Sequence, residues 1–84
     1  MTDDPHAVLL IKCPDRPGIV AAISTFLFAH GANITDLDQH STDDAPGVYF
    51  MRLELQTIAL DVSLDELRAR FEAEIARPFA MEWR

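Results

Sequence analysis

The sequence predicts an α+β sandwich of element order βαββαβ, with two helices covering one face of a four-stranded antiparallel sheet. Three observations predict it. An apolar run, Ala7-Val8-Leu9-Leu10-Ile11, hands over through Cys13-Pro14-Asp15-Arg16-Pro17-Gly18 to an apolar-periodic segment that ends at His30. Two alternating segments, 33–41 and 48–56, flank a run of turn-forming residues at 42–47. A second helical pattern opens at Ser63 and is stopped by Pro78, and a short alternating tail closes the chain.

Length and composition bound the function classes. A chain of 84 residues has room for one core, and 49% hydrophobic with 25% charged residues is ordinary for a globular domain. A domain this small buries only ~60–65% of its unfolded surface, which favours an oligomer, expected as a homodimer through the second strand, the first helix or the open sheet face. Fourteen acids against seven bases give a formal charge of −7, and no Lys/Arg cluster offsets it, so no nucleic-acid partner is expected. A single cysteine excludes an internal disulfide and suits a reducing compartment. Residues 1–5 are polar and acidic, a flexible tail without the basic n-region of a signal peptide. No apolar run approaches the ~20 residues of a membrane span, so a cytoplasmic protein with no membrane partner is expected.

The first strand, residues 6–13, carries apolar groups on both faces, which indicates a central strand whose second face is at least partly covered. The first helix is expected over 17–30, with Asp15 or Cys13 as its cap, Pro17 in its first turn, and Ile19, Ile23, Phe26 and Leu27 as its buried stripe. Gly31 supplies the stop. Ala21, Ser24 and Phe28 make a second, outward face. On the second strand Asp36, Asp38 and His40 share the even face, and on the third Phe50, Arg52, Glu54 and Gln56 do. Even residues must therefore pair with even residues, which puts Arg52 near Asp36 or Asp38. Ile34 breaks this parity, so a bulge or a covering subunit is expected there.

The second helix has a clear local code. Ser63-Leu64-Asp65-Glu66 matches a capping box, and Leu64, Leu67, Phe71 and Ile75 make a buried stripe. Residues 79–84 alternate as a last strand, with Phe79, Met81 and Trp83 on one face. Two right-handed crossovers on the same side then give the strand order 4-1-3-2, the ferredoxin-like fold, with the second strand at an edge.

Asp15-Arg16-Pro17-Gly18-Ile19-Val20, a helix, Gly31-Ala32-Asn33-Ile34 and a β-hairpin resemble an ACT domain, the small regulatory module of amino-acid metabolism. The resemblance spans 8–83. A narrower one rests on Cys13-Pro14-Asp15-Arg16-Pro17-Gly18-Ile19-Val20, Gln39-His40-Ser41 and Gly47-Val48-Tyr49-Phe50-Met51-Arg52-Leu53-Glu54, which look like the regulatory domain of formyltetrahydrofolate deformylases. Those enzymes hydrolyse 10-formyltetrahydrofolate to formate and tetrahydrofolate for the one-carbon pool that feeds purine synthesis. The resemblance implies that the catalytic formyltransferase-like domain lies beyond residue 84, and that this chain carries no catalytic residue. A free-standing ACT module that regulates another protein by contact is the alternative.

The resemblance also implies a site for an amino-acid effector at a homodimer interface. It takes Cys13, Asp15, Arg16 and Gly18 from one chain and Asn33 and Ile34 from its partner. Helix-start N–H groups suit a carboxylate, and the Asn33 amide both donates and accepts. Glycine or methionine fits one-carbon metabolism. Some amino-acid-binding relatives carry His and Asn where this chain has Cys13 and Asp15. From the residues alone, a capped strand-to-helix turn accounts for the same stretch. No cofactor and no metal is expected, since His6, His30, His40 and Cys13 lack ligand spacing. Cys13 reads as a small buried residue at a strand end, and no phosphate-binding glycine motif occurs.

Overall fold

Parity along the strands sets the two layers. In the computed structural model, which describes residues 5–42 and 47–84, β1 (His6–Pro14) and β3 (Val48–Gln56) pair antiparallel. Leu9 lies opposite Leu53 and Ile11 opposite Met51, so the odd-numbered side chains of both strands share one face. That face is the core. Ile23 and Leu53 are fully buried at its centre, among Leu9, Ile11, Met51, Leu55, Phe26 and Phe71. With β2 (Asn33–Ser41) and β4 (Glu82–Trp83) the sheet order is β2-β3-β1-β4, the expected order read from its other edge.

A bulge, one of the two readings of the parity conflict at Ile34, is present. Ile34 pairs with Leu55, and the register then shifts so that Asp36 faces Glu54 and Asp38 faces Arg52. The extra residue turns Ile34 onto the core face and leaves the acids on the open one. Arg52 lies 3.7 Å from Asp36 and 3.1 Å from Glu54. The 42–47 loop lies mostly outside the described residues, as does the tail at 1–4. Its flanks are tied by Thr42 N–H to the Val48 carbonyl at 3.0 Å and Val48 N–H to Thr42 Oγ1 at 2.9 Å.

Helix α1 (Ile19–Ala29) buries Ile19, Ile23, Phe26 and Leu27, as its periodicity predicts. Its start differs from expectation. Neither Asp15 nor Cys13 caps it, and Pro17 precedes it; Gly18 is the N-cap, with φ 90° and no side-chain bond. A left-handed entry needs glycine, so backbone conformation rather than a side chain sets the boundary. The helix ends in a Schellman turn: Ala32 N–H donates to the Leu27 carbonyl at 3.0 Å and Gly31 N–H to that of Phe28 at 3.1 Å.

Helix α2 (Leu64–Phe71) starts on Ser63, whose Oγ accepts from Glu66 N–H at 3.1 Å. Glu66 does not complete the box by reaching back; its carboxylate takes Arg70 Nε at 2.9 Å. Leu64, in the first turn of α2, is 45% exposed, a departure from the expected stripe. A π-helical turn, Glu72–Ala76, follows, with Arg77 N–H bonded to the Glu72 carbonyl at 3.1 Å. The added residue in that turn lets both Ile75 and Ala76 face the core, where an α-helix would turn Ala76 away.

The last strand is shorter than the alternation at 79–84 predicts. Residues 77–80 form turns, with Ala80 at φ 55°, and only Glu82–Trp83 pair with β1, extended by reciprocal bonds between Leu10 and Arg84. Phe79, Met81 and Trp83 still pack against the core. The other face of the sheet has no layer over it among the described residues: Val8 is 41% and Phe50 39% exposed.

Candidate functional site

The Asp15 to Gly18 loop leaves β1 and enters α1 with little side-chain cover. Asp15 N–H donates to the Gly47 carbonyl at 3.0 Å, which fixes the loop to the start of β3. The first helical bond is Ala22 N–H to the Gly18 carbonyl at 2.9 Å. The amides of Ile19, Val20 and Ala21 precede it and have no carbonyl within the helix to meet. A Cβ on Gly18 would have nothing within 4 Å, so the space before these amides is open. The arrangement can take a carboxylate.

The predicted residues divide into two groups. Cys13, Asp15, Arg16 and Gly18 lie together at one end of the sheet, and Asn33 and Ile34 lie at the other. Cys13 is opposite Tyr49, which is opposite Ser41; Asn33 is opposite Gln56, which is opposite His6. From His6 to Cys13 is seven residues of strand, on the order of 23 Å. Both β1 and β2 run antiparallel to β3 and so parallel to each other, and one chain does not bring the two halves together.

Within each half the side chains have definite partners. Cys13 is 3% exposed in the core; burial raises its thiol pKa, Asp15 adds to the rise, and Arg16 opposes it. Arg16 points away from the helix start. Its guanidinium sits 4.4 Å from the Phe79 ring centroid and 3.4 Å from the Pro78 carbonyl, tying the loop to the segment after α2. Asn33 Nδ2 donates to Gln56 Oε1 at 2.9 Å, and Ile34 is partly buried.

Two residues beside these groups escaped the sequence reading. Tyr49 abuts Cys13 across the strands and donates its hydroxyl to Gln39 Oε1 at 2.8 Å. Burial raises its phenol pKa, with Cys13 and Asp15 adding to the shift. Gln56 holds the Asn33 amide. Both are register neighbours, so a committed β1–β3–β2 register would have named them.

Comparison with known proteins agrees with this fold. The profile of the ACT domain matches residues 7–72, most of the chain. The chain belongs to the ACT domain family. This ACT domain is 45% identical over 75 residues to a formyltetrahydrofolate deformylase of Bacillus subtilis (strain 168), covering 89% of the chain and 25% of the relative. A solved formyltetrahydrofolate deformylase from Pseudomonas syringae pv. tomato superposes with a TM-score of 0.84 at 41% identity, covering 95% of the chain and 26% of that structure. A UPF0237 protein of Methanopyrus kandleri is 38% identical over 67 residues, covering 80% of the chain and 71% of the relative. The ACT domain thus spans about a quarter of the length of the deformylases it matches. No helix of the described residues is long and apolar enough to cross a membrane.

Proposed function

We propose that this ACT domain is the regulatory, amino-acid-binding and dimerising part of a cytoplasmic formyltetrahydrofolate deformylase, which hydrolyses 10-formyltetrahydrofolate to formate and tetrahydrofolate. The similarity to deformylases over about nine-tenths of the chain is the observation that carries this reading. The hydrolytic chemistry belongs to a domain beyond residue 84. The ACT domain contributes the effector site: Asp15, Gly18 and the α1 amides from one protomer, with Asn33 and Ile34 from its partner, and with Cys13 and Arg16 shaping the loop from behind. Glycine and methionine are the effectors proposed. Edge strand β2 and the outward face of α1, where Val20 is 36% and Phe28 82% exposed, supply the surface that joins the protomers side by side.

Calorimetric titration of the protein with glycine, methionine and serine tests the site. Heat is expected from glycine or methionine, and Asn33→Ala should weaken binding by roughly 1–3 kcal/mol, the value of hydrogen bonds buried with a ligand. The exposed Asn33–Gln56 bond makes a small contribution to the fold, so the same variant should unfold within about 0.5 kcal/mol of wild type. No heat from any of the three, together with a destabilised Asn33→Ala, would make the stretch a structural turn. The UPF0237 relative supports a second reading, since this chain covers 71% of it: a free-standing module acting on another protein by contact. The coding sequence beyond residue 84 separates the two.

A further inference from the structure

The open face of the sheet carries a concavity of about 560 Å³ in which two complete rows of side chains cross all four strands. The register defines them. One row is His40, Phe50, Lys12 and Glu82; the next is Asp38, Arg52, Leu10 and Arg84. Both rows are on the face that the helices leave bare. Their apolar members, Phe50 and Leu10, lie in the middle, and the charges sit around them.

We propose that this face binds a second copy of the same chain about a two-fold axis that lies in the face, across the strands and between the two rows. Such an axis sets every residue of one row against its own-strand neighbour in the other copy. His40 then meets the partner's Asp38, and Glu82 meets the partner's Arg84. Phe50 meets the guanidinium of the partner's Arg52, and the butyl stem of Lys12 lies on the partner's Leu10. Each pairing occurs twice, and none sets like charges together. Self-complementarity of this kind is what an isologous interface requires. Within one copy Lys12 lies 3.8 Å from Glu82 and Arg52 lies 3.1 Å from Glu54, so charges of both signs are interspersed over the face rather than segregated.

The choice of axis rests in part on the side-by-side dimer proposed above. That dimer has its two-fold normal to the sheet at the β2 edge. An axis across the strands can intersect it and close a four-copy assembly, whereas one parallel to the strands through mid-sheet cannot and would build an open chain.

Sedimentation equilibrium over a wide concentration range tests the face with a charge swap. Glu82→Arg sets Arg against Arg84 twice across the axis, and Arg84→Glu sets Glu against Glu82 twice. Each should weaken association through this face by at least about tenfold. The double variant Glu82→Arg/Arg84→Glu restores opposite signs and should restore association. Glu82→Arg also meets Lys12 within its own chain, so unfolding midpoints are compared, and Arg84→Glu stands as the arm without that neighbour. Phe28→Glu, on the outward face of α1, reports the side-by-side contact and the amino-acid heat separately. Weakening by both single swaps with recovery in the double variant, the amino-acid heat unchanged, is the expected result. Association that ignores all three swaps but fails in Phe28→Glu overturns the face-to-face contact and leaves the effector reading standing. A monomer at every concentration overturns both and leaves the open face to a different chain.

Discussion

Cys13 shows how one buried group acts on both stability and reactivity. Its thiol is 3% exposed, beside the buried phenol of Tyr49, and burial is the main cause of the raised pKa in each. A raised pKa in an acid means that the folded chain holds the proton more tightly than the unfolded chain does. The resulting stability is intact below the ordinary values of 9.0 for the thiol and 10.0 for the phenol. It is lost as pH rises through those values towards the folded ones, because the unfolded chain then ionises first. Urea-unfolding free energies should therefore hold level to about pH 8.5 and fall beyond it, with a shallower fall in Cys13→Ala. A flat profile to pH 11 in wild type would remove both groups from the linkage. The same burial makes Cys13 a slow target for thiol reagents, consistent with its reading as a packed residue rather than a nucleophile.

At the scale of elements, sequence pattern was informative wherever one chain segment decided its own fate. An apolar run located the first strand and alternation the next two, and of the two readings offered for the parity conflict at Ile34 the structure has the bulge. Ser63 marked the start of α2, and Gly31 the end of α1. Departures occur where distant segments decide. Gly18 enters α1 at a φ of 90°, a conformation that sets the helix start with no side chain as cap. The π-helical turn depends on the need to bury Ile75 and Ala76 together, and the shortened β4 on the turns at 77–80. The two halves of the candidate site were named from the resemblance to ACT domains, while the Arg16–Phe79 and Asn33–Gln56 contacts join residues far apart in sequence. The α1 terminus gives a direct comparison of two left-handed glycines. An alanine at either position carries about 1–2 kcal/mol of backbone strain. At Gly31 the added Cβ would also overlap the Ala59 carbonyl oxygen, which belongs to backbone and cannot swing aside, whereas at Gly18 it meets open space. Urea denaturation should rank Gly31→Ala well below Gly18→Ala in stability; equal losses would mean that the β3–α2 connection yields.

The whole molecule is a thin slab, 44 × 28 × 18 Å, one sheet under one helix layer. Its radius of gyration of 13.1 Å exceeds the ~12 Å expected for a compact chain of this length, in keeping with a single sheet whose one face and two edge strands, β2 and β4, have no cover among the described residues. Association would cover them, and in the proposed dimer the shared effector site makes association and ligand binding a single equilibrium. Asn33 is on the order of 23 Å from the loop of its own chain, so an amino acid touching both must touch two protomers. A ligand that binds only the assembled site stabilises that assembly by RT ln(1 + [L]/Kd) per site, about 2.7 kcal/mol at a hundredfold excess over Kd. A side-by-side dimer with two sites is thus expected to tighten by several orders of magnitude when glycine or methionine is saturating. Sedimentation with and without the amino acid measures the shift directly. Phe28→Glu should lower both self-association and amino-acid affinity, because the two are linked. Asn33→Ala should leave the ligand-free association near its wild-type value and abolish the ligand-induced tightening. Saturable binding that leaves the association constant unchanged would place the ligand within one protomer, and the shared site would fall.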